Sequence, residues 1–285
     1  MTLIRQPGAW DAFLNADTGA SGAAFYWLGQ AGFAFRHQGR LWMIDPYLSD
    51  HLAVKYRGKH FPHTRMMPPP VTPERTPPLD AILCSHRHSD HMDPTGLPVL
   101  LARSPHACVV APRAERGHAR ALGLLEDRVH FVNAGEAVAP VDGLTFHAVP
   151  ASHETLETDT EGNHRYLGFI FTVGGVTFYH GGDTIPYFGL ADTLRQHGVS
   201  VAMLPVNGRD AYRRDHGVPG NMTLDEARAL CVAADVPNLV PHHFGMFAFN
   251  TAEPASLAAA AAASKPPRCW VPDPEHYFIT AMETR

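Results

Sequence analysis

The sequence predicts an α/β fold in one domain, on three observations. Strand-like and helix-like segments alternate along the chain, with strands clustered in each half. Several apolar runs read as buried strands that end directly on a histidine or an aspartate. No linker and no internal repeat divides residues 1–285, so a single domain is expected.

The elements follow in order. "AAFYWLGQAGFAFRHQGRLWMIDPYL" alternates apolar with small or polar residues, turns near Gln38-Gly39 and reads as an early hairpin ending at Asp45. Residues 62–78, "PHTRMMPPPVTPERTPP", carry seven prolines. Proline lacks the backbone donor, which excludes this stretch from helices and central strands and leaves a long loop. Such a loop is functional or mobile, or else a stiff surface connection. "LDAILCSH" (79–86) is a buried strand, and helix and strand continue through 112–150. "DGLTFHAVPASH" (142–153) is a strand that delivers His153. "YLGFIFTVGGVTFYHGGD" (166–183) is two strands joined by Gly174-Gly175 and ending on Asp183. "VSVAMLPVNG" (199–208) is buried strand, Thr223 and Glu226 form a capping box that opens a helix, and "NLVPHH" (238–243) is a short strand. The alanine-rich 254–265 segment is a helix without implied chemistry.

Composition narrows the function. The net charge is −5 and there is no dense Lys/Arg block, so nucleic acid is not an expected partner. No run approaches the roughly 18–20 apolar residues of a membrane span, and the first residues lack a secretory pattern, so a cytoplasmic location is expected. Cys84, Cys108, Cys231 and Cys269 are scattered, which argues against a disulfide framework or a zinc knuckle. The 19 histidines, against 23 lysines and arginines, favour a metal site.

"CSHRHSDHMD" (84–93) concentrates that chemistry, placing His86, His88, Asp90 and His91 within six positions. Five segments run from strand to ligand: 79–91, 142–153, 176–183, 238–243 and, weakly, 41–45. Strand ends lie along one sheet edge, so loops distant in sequence can converge there. His86 and His88, two apart beyond a strand, can point to one side, while Asp90 and His91 fall where a helix would begin and can face a second ion. Two divalent ions roughly 3.5–4 Å apart can share a hydroxide and clamp a developing oxyanion. Imidazole and carboxylate without thiolate suit zinc or manganese, with iron also compatible.

The motifs "WLGQAGF", "MIDPYLSD", "CSHRHSDHMD", "VPASH", "YHGGDT" and "VPHHFG" resemble, in order, those of the metallo-β-lactamase-fold hydrolases. Within them, "RMMPPPVTPE", "FYHGGD" and "LPVNGRD…MTLDEA…LVPHHF" are most similar to the L-ascorbate-6-phosphate lactonase group, and more distantly to N-acylphosphatidylethanolamine-hydrolysing phospholipase D. The resemblance implies an αββα four-layer sandwich with two divalent metal ions along one edge. His86, His88 and His153 would hold the first ion, Asp90, His91 and His243 the second, with Asp183 bridging. His243 fits the family's spacing before glycine, and His242 is the alternative. A full histidine set including His153 fits general hydrolase chemistry better than the lactonase reaction alone.

The expected reaction is hydrolysis of a small anionic molecule by a metal-bridging hydroxide, with Asp90 both ligand and proton acceptor. A lactone is the first substrate class and a phosphodiester the second. A nuclease would want a basic surface, and a scaffold would be expected to lack ligands. Asp45 reads as a carboxylate on a ligand histidine and, compatibly with that, as an Asx turn before Pro46. Asn207, Arg209 and Tyr212 are candidate substrate contacts, as is the basic run Lys55, Arg57, Lys59 and His60. Cys84 reads as core, His180 is left open, and a homo-oligomer is compatible with the chain.

Overall fold

The computed structural model describes residues 2–19 and 21–281. Two mixed sheets stack face to face. The first runs, in spatial order, Thr2–Pro7, His276–Ala281, Ala24–Gly29, Gly32–His37, Arg40–Ile44, Ala81–Leu83, Cys108–Pro112 and Val129–Val132. The second runs Arg268–Cys269, Asn238–His242, Val201–Pro205, Val176–His180, Leu167–Val173, Leu144–Pro150 and Ala137–Val141.

The two-residue period of a strand explains how the layers hold together. In Ala24–Gly29, Phe25 and Trp27 face the other sheet, while Ala24, Tyr26 and Leu28 face a separate outer core. The inner seam is aromatic: Phe25 meets Phe178 at 5.7 Å, and Phe35 meets Phe171 at 5.1 Å between ring centroids. Burying each such ring contributes about 1.5–3 kcal/mol. The outer core of the first sheet is closed by Trp10 and Phe13 of the helix Trp10–Leu14 and Leu97, Leu100 and Leu101 of Gly96–Arg103. Helices Leu190–Gln196, Leu224–Ala233 and Pro254–Ala262 supply Leu194, Leu230 and Leu257 to the core of the second sheet. The order helix, sheet, sheet, helix is the αββα four-layer sandwich.

Strand direction positions the site. Arg40–Ile44 and Ala81–Leu83 are parallel, as are Val176–His180, Val201–Pro205 and Asn238–His242. Leu144–Pro150 is antiparallel to Leu167–Val173, itself antiparallel to Val176–His180, so it runs the same way as Val176–His180. The C-terminal ends of Val176–His180, Asn238–His242 and Leu144–Pro150 therefore share one edge.

Two sequence expectations change. Residues 24–44 form three strands, because the chain also turns at Gln30-Ala31 between Gly29 and Gly32. Neither central residue is a usual turn former, and Gln30 nonetheless adopts φ +52°. Gly29 at φ +96° supplies the freedom, and a Cβ there would come within 2.8 Å of Met246 Cε. The helix expected at Asp90 begins only at Gly96. Asp93 and Pro94 intervene, and the Asp93 carboxylate accepts from the backbone of Thr95 at 3.0 Å, making a local turn that competes with helix. The proline-rich loop carries one 3-10 turn, Pro73–Arg75, and Arg65 within it donates to the carbonyl of Ser49 at 3.0 Å. The Thr223–Glu226 capping box and the Gly174-Gly175 hairpin are present.

Candidate metal centre

Residues three positions beyond strand ends, and one directly after, converge at the shared edge. His86 and the rest of its motif follow Ala81–Leu83, His153 follows Leu144–Pro150, Asp183 follows Val176–His180, and His243 follows Asn238–His242. They form two groups: His86, His88, His153 and Asp183, and Asp90, His91 and His243, with the ligand-capable atoms of each group within 4.8 Å of one another.

Asp183 stands between the groups. Its Oδ1 lies 3.4 Å from His91 Nε2, and its Oδ2 lies 3.7 Å from His153 Nε2 and 3.3 Å from His243 Nε2. Asp90 Oδ2 lies 3.8 Å from His91 Nε2 and 3.6 Å from His243 Nε2.

Hydrogen bonds behind the rings fix which nitrogen faces inward. The Asp45 carboxylate accepts from Ser85 N at 2.7 Å, Ser85 Oγ at 2.6 Å and His91 Nδ1 at 2.7 Å. Ser85 Oγ has one hydrogen, given to Asp45, so at 3.0 Å it accepts from His86 Nδ1–H. The Gly220 carbonyl accepts from His153 Nδ1–H at 3.1 Å. With Nδ1 so engaged, the Nε2 atoms of His86, His91 and His153 face the centre. His86 Nε2, His91 Nε2 and Asp183 Oδ1 are buried without a hydrogen-bond partner. Buried polar atoms left so are rare and costly, and this donor set of imidazoles and carboxylates fits divalent cations. Asp45 is thus the carboxylate behind a cluster histidine, and its oxygens are engaged there rather than in a turn at Pro46.

Electrostatics follow the same plan. Burial lowers the pKa of His86 well below the usual range and that of His88 to about 4, with neighbouring imidazoles acting in the same direction. His153 is lowered chiefly by burial. At His91 burial acts the same way, but Asp183, Asp45 and Asp90 outweigh it and raise the pKa well above the ordinary value. Burial resists ionisation of Asp183, and His243 and His91 overcome it, holding the carboxyl well below its usual range.

The cluster floors a cleft of about 830 Å³. Tyr56, Phe61, His63 and Phe247 form an aromatic wall, and Lys55, Lys59 and Arg87 line the mouth. The ammonium groups of Lys55 and Lys59 have no carboxylate partner among the described residues.

Other expected residues fall elsewhere. His242 packs inside the core, stacked on His180 at 5.1 Å, so His243 is the member of the pair that reaches the cluster. His180 donates to the carbonyl of Ala31 at 2.8 Å and stays out of it. Cys84 is buried in the outer core. Asn207, Arg209 and Tyr212 do not line the cleft. Asn207 is buried and bonded to Asn250 and Asn221, Arg209 is bidentate on Glu226 at 2.7 and 2.6 Å, and the exposed Tyr212 holds His60 at 2.7 Å. Of the basic run, Lys55, Lys59 and His60 line the cleft and Arg57 does not. Sequence reasoning missed Gln30, Arg87 and the aromatic wall. Gln30 sits within a quoted motif, but nothing in its type marks a role.

The model of the beta-lactamase superfamily domain matches residues 40–244, which span every residue of the cluster. A UPF0173 metal-dependent hydrolase of Myxococcus xanthus is 31% identical over 238 residues, covering 81% of this chain and 74% of that protein. The chain belongs to this hydrolase family. It is a metal-dependent hydrolase on the metallo-β-lactamase fold. Solved structures agree on the fold. The isothiocyanate hydrolase from Delia radicum gut bacteria superposes with a TM-score of 0.70 at 17% identity, covering 91% of this chain and 98% of that one. Igni18, a metallo hydrolase from Ignicoccus hospitalis, gives 0.67 at 17% identity, covering 92% and 100%. Among the described residues of this family member, no helix is long and apolar enough to cross a membrane.

Proposed function

We propose that the protein hydrolyses a small anionic molecule, foremost a lactone of the L-ascorbate-6-phosphate type, at a centre of two divalent cations, zinc or manganese, with iron as the third candidate. One observation carries this reading: two groups of inward-facing ligand atoms share Asp183 at the floor of one cleft. His86, His88 and His153 would hold one cation and Asp90, His91 and His243 the other, with Asp183 between them able to serve either. The cations, when bound, polarise the scissile oxygen and lower the pKa of water towards neutrality.

The chain's own groups do the rest. Asp45 keeps the proton of His91 on Nδ1, so that Nε2 stays available. Asp90 is the one cluster carboxylate that lines the cleft while remaining partly exposed, at 16% of its side chain. Burial opposes its ionisation, and His91 and His243 outweigh that, keeping it ionised and able to take up a proton from the attacking water. Lys55, Lys59 and Arg87 attract the anionic group of the substrate, and the aromatic wall covers its uncharged part.

The test is proton release in a weakly buffered pH-indicator assay. Manganese- or zinc-loaded protein meets matched panels of sugar lactones, lactone phosphates and phosphodiesters, with Asp90→Ala as control. Turnover favouring anionic lactones, lost in the variant, is expected. Turnover of diesters alone moves the protein to phosphodiester chemistry, and none on either panel overturns the substrate class.

A further inference from the structure

We infer that Gln30 is a positioning residue of the second ligand group, holding Asp90 and His243 in the arrangement that receives its cation; this rests on the two-cation reading above. Gln30 lies in the turn between Ala24–Gly29 and Gly32–His37, more than fifty residues from any ligand. Ala24–Gly29 is antiparallel to Gly32–His37, which is antiparallel to Arg40–Ile44. The turn therefore emerges at the same sheet edge as Asp45.

Gln30 engages the group through both its side chain and its backbone. Its carboxamide Nε2 donates to Asp90 Oδ2 at 2.9 Å and stands 3.2 Å from His243 Nε2. Its carbonyl accepts from His243 N–H at 2.8 Å and from the Trp27 indole at 3.0 Å. Gln30 and His243 both hold left-handed backbone, at φ +52° and +62°, a conformation that costs energy at non-glycine positions and collects at functional sites.

The choice of residue is chemically specific. A carboxylate only accepts, so the amide nitrogen must face Asp90. That orientation leaves Gln30 Oε1 buried without a partner, on a residue with no exposed surface. A methionine would fill the space without this orphaned oxygen, so packing alone does not account for glutamine. Lysine or arginine would donate equally but repel a cation, and glutamate would repel Asp90. A neutral donor with the reach of glutamine meets all three conditions. The other group has its own supports, Ser85 Oγ on His86 and the Gly220 carbonyl on His153. Gln30 is their counterpart on Asp90.

The experiment is calorimetric titration of metal-stripped protein with Mn(II), comparing wild type with Gln30→Met and Gln30→Asn. Methionine keeps the volume without the donor, and asparagine keeps an amide that falls one methylene short. Wild type is expected to bind two equivalents. Both variants should bind one within about twofold of wild type and the other about ten- to a hundredfold more weakly. Melting of the metal-free proteins checks that folding is retained, since both variants keep the backbone carbonyl that holds His243 and Trp27. Two equivalents bound unchanged in both variants, or a loss spread evenly over both, would overturn the role of Gln30 alone. Fewer than two equivalents on wild type would overturn the two-cation reading and this inference with it.

Discussion

The floor and the mouth of the cleft are built by opposite means. At the floor, His86, His91, His153, Asp183 and His243 are at most 4% exposed; four of them lie within three residues of a strand end, and His91 sits in the turn that follows Ala81–Leu83. At the mouth, Lys55 ends the short helix His51–Lys55 and Lys59 follows in the connecting segment, with no carboxylate partner for either among the described residues. Chemistry that must be repeated unchanged sits on strand ends, whereas recognition sits on residues that can change without disturbing the core.

The sharpest way to break this contrast is Asp183→Asn, because the Asp183 carboxylate faces histidines of both groups. Turnover should fall by about 10³-fold or more, with metal content by elemental analysis dropping below two equivalents. Retention of both would mean that the groups work independently and that the floor is no single device. The floor also costs stability when metal is stripped. Burial, reinforced by His153, holds His88 at about 4 in the folded protein, against 6.5 for a free imidazole. The unfolded chain takes up that proton first, so the His88 contribution is complete above about pH 6.5 and is lost as the pH falls towards 4. His91, raised by its carboxylates, contributes with the opposite sign and loses its part as the pH rises. From His88 alone the loss is of order 3 kcal/mol, and His86 and His153 act in the same direction. Denaturant unfolding of metal-free protein across this range measures it; a flat profile would mean that water reaches the rings. Asp45→Asn is milder. It removes the carboxylate behind His91 without touching a ligand, and metal affinity or turnover should fall about ten- to a hundredfold.

The floor was legible in the sequence for the reason that makes it rigid. Strand-then-ligand is a local pattern, and one sheet edge gathers its members whatever their separation. Asp45 was legible too, because it also ends a strand. The mouth was not. Asn207, Arg209 and Tyr212 follow the buried strand Val201–Pro205 and so stood where contacts were expected, yet their polar groups are used by Asn250, Glu226 and His60. Arg87 and Phe247 reach the cleft through loop paths that no periodicity encodes. Gln30 was hidden by a turn without a turn-forming pair, so the strand count in 24–44 was one too low. The choice between His242 and His243 needed the backbone, since His243 leaves the strand at φ +62° while His242 packs on His180.

Smaller effects belong to the mouth. Lys55→Ala and Lys59→Ala should each raise KM about two- to fivefold for an anionic substrate with kcat unchanged, and 0.5 M salt should mimic both. A fall in kcat instead would place these ammonium groups at the reacting bond.

The smallest expected change is the most discriminating. Arg209 forks onto Glu226, the carboxylate that also caps Thr223 N at 2.8 Å, with both side chains about one-third exposed. Arg209→Ala should therefore cost about 0.5–1 kcal/mol in unfolding and move KM and kcat by less than about twofold. One contact makes the result informative. Arg209 Nη1 also donates to the Asn221 carbonyl at 3.0 Å, next to the Gly220 carbonyl that orients His153. A lower kcat at unchanged KM would show that this bond steadies His153 and would assign Arg209 to the floor. A higher KM at unchanged kcat would return it to the substrate. Indifference in both would leave it as the support of a helix start, outside either region.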